Sequence, residues 1–397
     1  MNSILKNKKT IAAILAVIFL IAVAFIIKNA FDRHEYTAYD VTNEYAGAGM
    51  TLTTTEATES GTGTAAPSGA NVDTSSKYLY VDGQILRYSG DGAALLDEKF
   101  QTIWDETFSM TNPQAEAAGT EILIYDQLGS SVSIYNDKGK VGSFDTGKPI
   151  LKAKISREDT VAVLAQNGEN TSFTYYKADG SVIAAGGAAI DSPGYPVDLS
   201  ISPNAEDVAV SYLTVSGGTS GSRVEFYTFG ADGSSKTNNL KGSLTFPRSL
   251  VPVIDFVSDG RAIAVFDTGF TVVNVGETPK VSKTVTFSKD IVSTFHDADN
   301  IGFIFSGNSE NPYSLSLYTT KGNYLTNTDI SVRYTDAAVY DDQIVLWNTS
   351  GFAAYSMKGF CRFNGKIDEG TVRQVLRVGG RQYMVLTDEK LEMIQLK

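Results

Sequence analysis

The stretch Pro196–Gly233, PVDLSISPNAEDVAVSYLTVSGGTSGSRVEFYTFGADG, decides the fold. An apolar run leads into a Ser202-Pro203-Asn204 turn, and a second run follows, Val208-Ala209-Val210-Ser211-Tyr212. After a Gly/Ser-rich loop, Val224, Phe226, Tyr227 and Phe229 lead to an Asp-Gly turn. Apolar runs bounded by turn residues at this spacing predict an antiparallel meander.

Copies of this unit recur along most of the chain. Its second strand reads Tyr78–Val81, Glu121–Tyr125, Val161–Leu164, Val208–Val210, Ala262–Phe266, Ile301–Phe305, Ile344–Trp347 and Tyr383–Leu386. Continuous apolar runs of this kind suit strands covered on both faces. The third strand often ends in an aromatic residue before a Gly turn: Ile85–Tyr88 before Asp91-Gly92, Val132–Tyr135 before Gly139, Phe173–Tyr176 before Asp179-Gly180, and Leu315–Tyr318 before Gly322. Glycine supplies the positive φ such hairpins need. The copies start about 40 residues apart, stretched by expected loops at Thr214–Ser222 and Asn238–Arg248. Four strands at that period predict a β-propeller. The fold class is therefore all-β, with about eight four-stranded blades and seven as the alternative count. The last copy, Thr371–Leu396, has room for only three strands, and Tyr36–Tyr45 is the candidate to supply the fourth.

Upstream, Ile11–Ile27 is an uninterrupted apolar run, IAAILAVIFLIAVAFII, preceded by Lys6, Lys8 and Lys9. At 1.5 Å per residue it approaches the ~30 Å hydrocarbon thickness of a bilayer. The positive-inside rule then keeps the N-terminus in the cytoplasm and exports the rest. The competing reading is a cleaved signal peptide with Ala22-Val23-Ala24 at the cleavage site. The expected organisation is a short cytoplasmic N-terminus (1–10), a transmembrane helix (11–27), a juxtamembrane segment (28–46), a Thr/Ser/Gly-rich flexible insertion (47–77) and the propeller (78–397). The insertion is too poor in apolar residues to offset its ordering entropy.

Of 397 residues, 42% are hydrophobic and 20% charged, with 36 glycines and 20 each of Tyr and Phe. That is the composition of a folded, strand-rich protein. The net charge of −12 argues against a nucleic-acid partner, since phosphate binding needs clustered Lys and Arg. One cysteine, Cys361, excludes an intramolecular disulfide, and two histidines, His34 and His296, leave little for a zinc site or a triad. No phosphate loop, HExxH or nucleophile elbow is present, and no cofactor or metal signature is found. Asp145-Thr146-Gly147 and Asp267-Thr268-Gly269 resemble aspartic-protease loops, but Lys148 and Phe270 stand where that chemistry wants Ser or Thr. Laid on the repeat, the first ends a fourth strand and the second joins strands two and three, so they read as turns. Asp297-Ala298-Asp299 and Asp341-Asp342 lack a calcium loop's alternating ligands.

Propellers generally bind ligands on the face where first strands begin, near the central channel. By position that gives Tyr195, Asp198, Asp255, Arg333 and Asp336 as candidate ligand-binding residues.

The chain resembles the membrane-anchored proteins of Gram-positive anaerobes grouped as domain of unknown function 5711. The resemblance runs through Tyr39-Asp40-Val41, through Ile85-Leu86-Arg87-Tyr88-Ser89 with Asp91-Gly92-Ala93, and most strongly through Gly194–Asn204 and Val208–Tyr212. It implies an exported propeller behind one transmembrane helix and carries over no catalytic residue. The expected function is a non-enzymatic binding or scaffolding module at the cell envelope, engaging a protein, peptide or glycan. The alternative is an extracytoplasmic enzyme or quinoprotein-like, cofactor-binding propeller, for which Trp104 and Trp347 are the only tryptophans.

Overall fold

The computed structural model describes residues 17–23, 33–45, 76–168, 170–188, 194–229, 239–340 and 342–397. Within them lie eight four-stranded antiparallel sheets. Seven are built from consecutive strands, at residues 77–107, 113–145, 150–188, 195–247, 253–286, 291–330 and 336–366 (blades 1 to 7). The eighth combines the three strands of 372–396 with Tyr39–Tyr45 as its outer strand. First strands of neighbouring blades contact each other, so they form the inner wall of the ring. Each blade then runs outward from first strand to fourth. We call the face where first strands begin the upper face, and the face where they end the lower.

Eight buried clusters occupy the eight gaps between adjacent blades, which is the packing signature of a closed ring. The continuous apolar second strands supply them by alternation. In blade 3, Val161, Val163 and Ala165 pack toward blade 2, while Ala162 and Leu164 pack toward blade 4. In blade 8, Tyr383 and Val385 face blade 7, and Met384 and Leu386 face blade 1. Covered on both sides, such a strand keeps a polar residue only where it is bonded, as at Ser211, whose hydroxyl donates to the Val251 carbonyl at 2.7 Å.

The ring closes where the two ends of the propeller meet. Tyr39–Tyr45 pairs antiparallel with Leu391–Leu396, Tyr39 lying opposite Leu396 and Tyr45 opposite Leu391. Just before it, Tyr36 is buried in the cluster between blades 7 and 8, and its N–H donates to the Arg362 carbonyl at 2.7 Å. Lys397 N–H donates to the Ala38 carbonyl at 2.9 Å.

Three sequence expectations need correction. Tyr78–Val81 belongs to the first strand of blade 1 (Lys77–Val81), and Ile85–Tyr88 to the second (Gln84–Ser89), one strand earlier than the repeat pattern placed them. The tight turn at Asp82-Gly83, both at positive φ, joins the two and was masked by the more conspicuous Asp91-Gly92. Thr214–Ser222 is not an open loop. Asp207–Ser216 and Thr219–Thr228 stay paired to the Gly217-Gly218 tip, where both glycines have positive φ as a two-residue hairpin requires. Most of Asn238–Arg248 is the fourth strand of blade 4, Leu240–Pro247.

Of the apolar run 11–27, residues 17–23 are described and helical, with Val17, Ile18, Phe19, Leu20 and Ile21 exposed. No helix among the described residues is long and apolar enough to cross a membrane. The rest of that run, and the insertion 47–77 apart from Ser76 and Lys77, lie outside the described residues.

Candidate functional site

The first strands are where polar residues interrupt the apolar pattern, and the cross-strand register shows how they line up. Glu116 lies opposite Leu123, Lys154 opposite Ala162, Ser200 opposite Ala209 and Asp255 opposite Ile263. These are equivalent positions of blades 2, 3, 4 and 5, so the four side chains form a belt along the channel wall. Lys152, opposite Leu164, and Asp198, opposite Ser211, form a second belt one step higher. His296 closes the lower belt from the end of the first strand of blade 6.

The belts are bonded from blade to blade. Lys154 Nζ donates to Glu116 Oε2 at 2.8 Å, and Lys152 pairs with Asp198. Asp198 also accepts the Ile254 N–H at 2.8 Å, and the Ser200 hydroxyl oxygen accepts the Phe256 N–H at 2.9 Å. Blade 4 side chains thereby satisfy backbone donors of blade 5. Ser200 Oγ donates to Asp255 Oδ1 at 2.5 Å, and His296 Nε2 lies 2.7 Å from Asp255 Oδ2.

Burial works against every charge in this wall, and the partners decide the outcome. Asp198, 2% exposed, is raised above the usual carboxylate range because burial outweighs Lys152. Burial also pushes Asp255 up, but the hydrogen bond from His296 and the Lys154 charge prevail and hold it at about 2. Burial pulls Lys154 down, yet the charges of Glu116 and Asp255 hold it above its ordinary value. Lys154 and Asp255 therefore stay charged across the physiological range.

Ser200, Asp255 and His296 have the composition of a catalytic triad in a different order. In a triad, histidine sits between serine and carboxylate and takes the hydroxyl proton. Here the carboxylate is in the middle and the serine donates to it directly, so histidine cannot activate the serine. The arrangement works as an inter-blade clamp.

Below the belts the channel opens into a 280 Å³ cavity lined by Glu116, Lys154, Arg157, Asp255 and His296, among others. Its rim is formed by first-to-second-strand turns on the lower face. Among the described residues, no group of three or more His, Cys, Asp or Glu is arranged to hold a metal ion.

The upper face has another character. Leu128, Tyr195, Val197, Val215, Leu250 and Val292 are all exposed there, Val215 at 73% and Leu128 at 66%. They come from strand beginnings, second-to-third-strand turns and blade linkers. Val197 and Val292 are bulged residues: the register skips from Pro196 to Asp198 and from Ile291 to Ser293. A bulge leaves its extra residue off the ladder and re-aims the side chain. Val215 stands near the tip of the blade 4 hairpin, beyond the last register partners of both flanking strands, at Leu213 and Gly221.

The five residues predicted from sequence separate accordingly. Tyr195, 44% exposed, opens the first strand of blade 4 on the upper face. Asp336 opens blade 7 on the same face, its Oδ1 accepting the Ala337 N–H at 2.8 Å. Arg333 lies in the linker before it, its carbonyl accepting from Asn348 Nδ2 at 2.6 Å. Asp198 and Asp255 belong instead to the channel wall, Asp255 reaching the lower cavity. Lys152, Lys154, Ser200, His296, Glu116 and Arg157 escaped the sequence reading. The Lys-x-Lys at 152–154 and Asp-x-Ser at 198–200, each inside an apolar first strand, are the signal that reveals them once blades are stacked in register.

The two Asp-Thr-Gly turns stay apart, in blades 2 and 5. Asp145 accepts from Ser130 Oγ and the Gly147 N–H, both at 2.7 Å, as a turn residue does.

The sequence profile of the family described as Family of unknown function (DUF5711) matches residues 62–396. The match begins after the Tyr39-Asp40-Val41 segment. No curated protein matches by sequence. Among solved structures, the chain is similar to BamB from Moraxella catarrhalis, at 12% identity and a TM-score of 0.51, covering 82% of this chain and 97% of that one. It is also similar to Chaetomium thermophilum Sqt1, solved bound to the N-terminus of ribosomal protein L10, at 9% identity and a TM-score of 0.51, covering 79% and 93%. At these identities the likeness is one of fold.

Proposed function

The chain belongs to the DUF5711 family, and from that premise we propose that it is a non-enzymatic binding or scaffolding module, membrane-anchored and extracytoplasmic, that docks an envelope protein on its upper face. The observation that carries this reading is the set of exposed apolar side chains on that face, densest at blade 4 with Tyr195, Val197 and Val215; those exposed elsewhere, such as Val182, Val281 and Tyr324, are spread over the outer fourth strands of separate blades. Exposed apolar side chains gathered on one face mark interaction surfaces, whereas scattered ones mean nothing. A net charge of −12 favours a partner whose apolar segment is flanked by neutral or basic residues. The same fold in Sqt1 holds a peptide segment, which supports the reading by analogy.

The path of the chain suits this orientation. Arg33 sits 5.1 Å from the Phe360 ring, and Tyr36 meets Phe363, both at the lower side of blade 7. Six peptide steps separate Ile27 from Arg33, at most about 20 Å when extended. An anchor over residues 11–27, of the kind the resemblance to membrane-anchored relatives implies, holds the lower face toward the bilayer and leaves the upper face outward.

In-cell crosslinking of wild type against a Tyr195→Ala, Val197→Ser, Val215→Ser, Val292→Ser variant tests the docking face. The expected result is a partner recovered by wild type and lost from the variant. Recovery of the same partner by both, or of this chain alone, overturns it. Protease shaving of intact cells is expected to remove the propeller, and its protection overturns the orientation.

A further inference from the structure

We propose that the lower cavity is a binding site for a monoanionic carboxylate group, gripped by the guanidinium of Arg157. The inference does not depend on docking at the upper face, which lies at the other end of the channel.

What is uncommitted at the cavity decides its ligand. Glu116 is taken by Lys154, and Asp255 by His296 and Ser200. Asp297 Oδ1 accepts from the Asp299 and Asn300 N–H groups at 2.8 and 2.7 Å, while its Oδ2 is buried without a hydrogen-bond partner and so leaves one acceptor on the wall open to a donor on the ligand. Arg157 differs: it is exposed on the cavity wall, and among the described residues its guanidinium has no ion pair or hydrogen bond. Its backbone N–H donates to the Pro203 carbonyl at 3.3 Å, which ties the turn to blade 4. Its stem lies across Gly119, where a Cβ would sit 3.8 Å from Cγ and 3.9 Å from Nε. The stem is thus laid in place by the backbone beneath it. On the same cavity wall, the ammonium of Lys154 has donor capacity beyond its one bond to Glu116. A free planar fork is the donor set that recognises a carboxylate bidentately, and an ammonium on the same wall adds positive charge.

Two observations narrow the class. A cavity of 280 Å³ takes up about nine waters at their liquid volume, so it encloses a carboxylate and its immediate neighbours, while its open lower rim leaves the remainder of a chain outside. Three carboxylates, Glu116, Asp255 and Asp297, share the wall, so a dianion such as hydrogen phosphate meets about twice the repulsion that a monoanion meets. The source of the carboxylate is either a free small acid or the C-terminus of a peptide chain.

Calorimetric titration of the full chain in detergent with sodium acetate, N-acetylalanine, N-acetylalanine amide and inorganic phosphate tests this. The two carboxylates are expected to bind, with the amide and phosphate at least about tenfold weaker. Arg157→Gln is expected to weaken carboxylate binding roughly ten- to a hundredfold without changing the melting temperature of the free protein. Arg157→Lys should retain part of it, since the charge remains and the fork is lost. N-acetylalanine binding markedly tighter than acetate assigns the site to a chain terminus; equal affinities assign it to a free acid. Equal binding of acid and amide, undiminished binding by Arg157→Gln, or no binding of either carboxylate at tens of millimolar overturns the proposal. The upper-face variant should leave carboxylate binding unchanged, so the two readings fail separately.

Discussion

The seam that closes the ring and the seam between blades 4 and 5 join the same kinds of sheet by different means. At the closure, Tyr36, Trp347, Phe352, Phe363 and Tyr383 are packed together, with Phe352 4.6 Å from Phe363 and 5.0 Å from Tyr383 between ring centroids. Between blades 4 and 5 an apolar cluster is present as well, but the channel side is fastened by Asp198 and Ser200 accepting N–H groups of the next first strand. Blades 7 and 8 are joined by a linker as short as the one between blades 4 and 5, but Tyr36 and the strand Tyr39–Tyr45 reach blade 8 from the other end of the propeller, so bulk and aromatic burial hold that segment in place. At the inner seam every strand is local in sequence, and directional bonds fix the angle between first strands. The difference predicts that truncation hurts most at the closure and that loss of polar groups hurts most at the inner seam.

The largest effect is expected at Tyr36. It is 4% exposed, touches the closing cluster, and shares its ring face with Arg362 and Arg381. Tyr36→Ala opens a cavity and frees the segment that leads into the closing strand, at a cost of about 3–5 kcal/mol in urea unfolding of the full chain. A loss below about 1 kcal/mol means the six-residue register with Leu391–Leu396 closes the ring without it.

Asp198→Ala comes next. It leaves the Ile254 N–H buried without an acceptor and Lys152 without its counter-ion. Lys152 is one-third exposed and can turn to water, so the cost is about 2–3 kcal/mol, below that of a fully buried broken pair. Asp198→Asn keeps an acceptor for the N–H and should lose less. Equal losses for the two variants would mean the charge alone matters and the inner seam is electrostatic.

Ser200→Ala is the milder test of the same seam. Phe256 N–H loses its acceptor and Asp255 one of its donors, at about 1–2 kcal/mol. Asp255 itself adds a pH signature. Its folded-state pKa, held near 2, is below the ordinary value of 3.8, so its contribution is present above about 3.8 and is lost as pH falls toward 2. Acid unfolding of Asp255→Asn should run flatter than wild type over that window.

The same contrast explains how much was legible beforehand. Second strands such as Ala262–Phe266 announced themselves because burial on both faces forces an unbroken apolar run. The closing strand was legible from arithmetic, because Thr371–Leu396 is one strand short. The site was hidden for two physical reasons. Bulges at Val197 and Val292 shift the side-chain parity, so exposed apolar residues sit inside patterns that read as ordinary strand. The channel belts join residues about 40 to 55 positions apart, such as Lys154 with Glu116 and Asp255 with Ser200, and only the closed ring brings them together. A positional guess reached Asp198 and Asp255 but assigned them to the upper face, since nothing in a strand's sequence says how far along it the channel wall lies.

The smallest expected effect comes from a third seam, where two acids meet and, among the described residues, neither is ion-paired. Glu121 opens the second strand of blade 2, and its Oε2, like Oδ1 of Asp159 in the adjoining turn of blade 3, is buried with no donor to satisfy it while both acids are ionised; a proton on Glu121 supplies one. Burial, then the hydrogen bond and charge of Asp159, push Glu121 up to about 7 from an ordinary 4.5. A raised carboxyl favours the protonated fold, so its contribution is complete below about 4.5 and disappears as pH climbs through 7. Glu121→Gln holds the neutral form at every pH. It should raise the melting temperature at pH 8 by a few degrees, and the gain should vanish at pH 4.5. A gain that persists at pH 4.5 would trace the effect to packing instead.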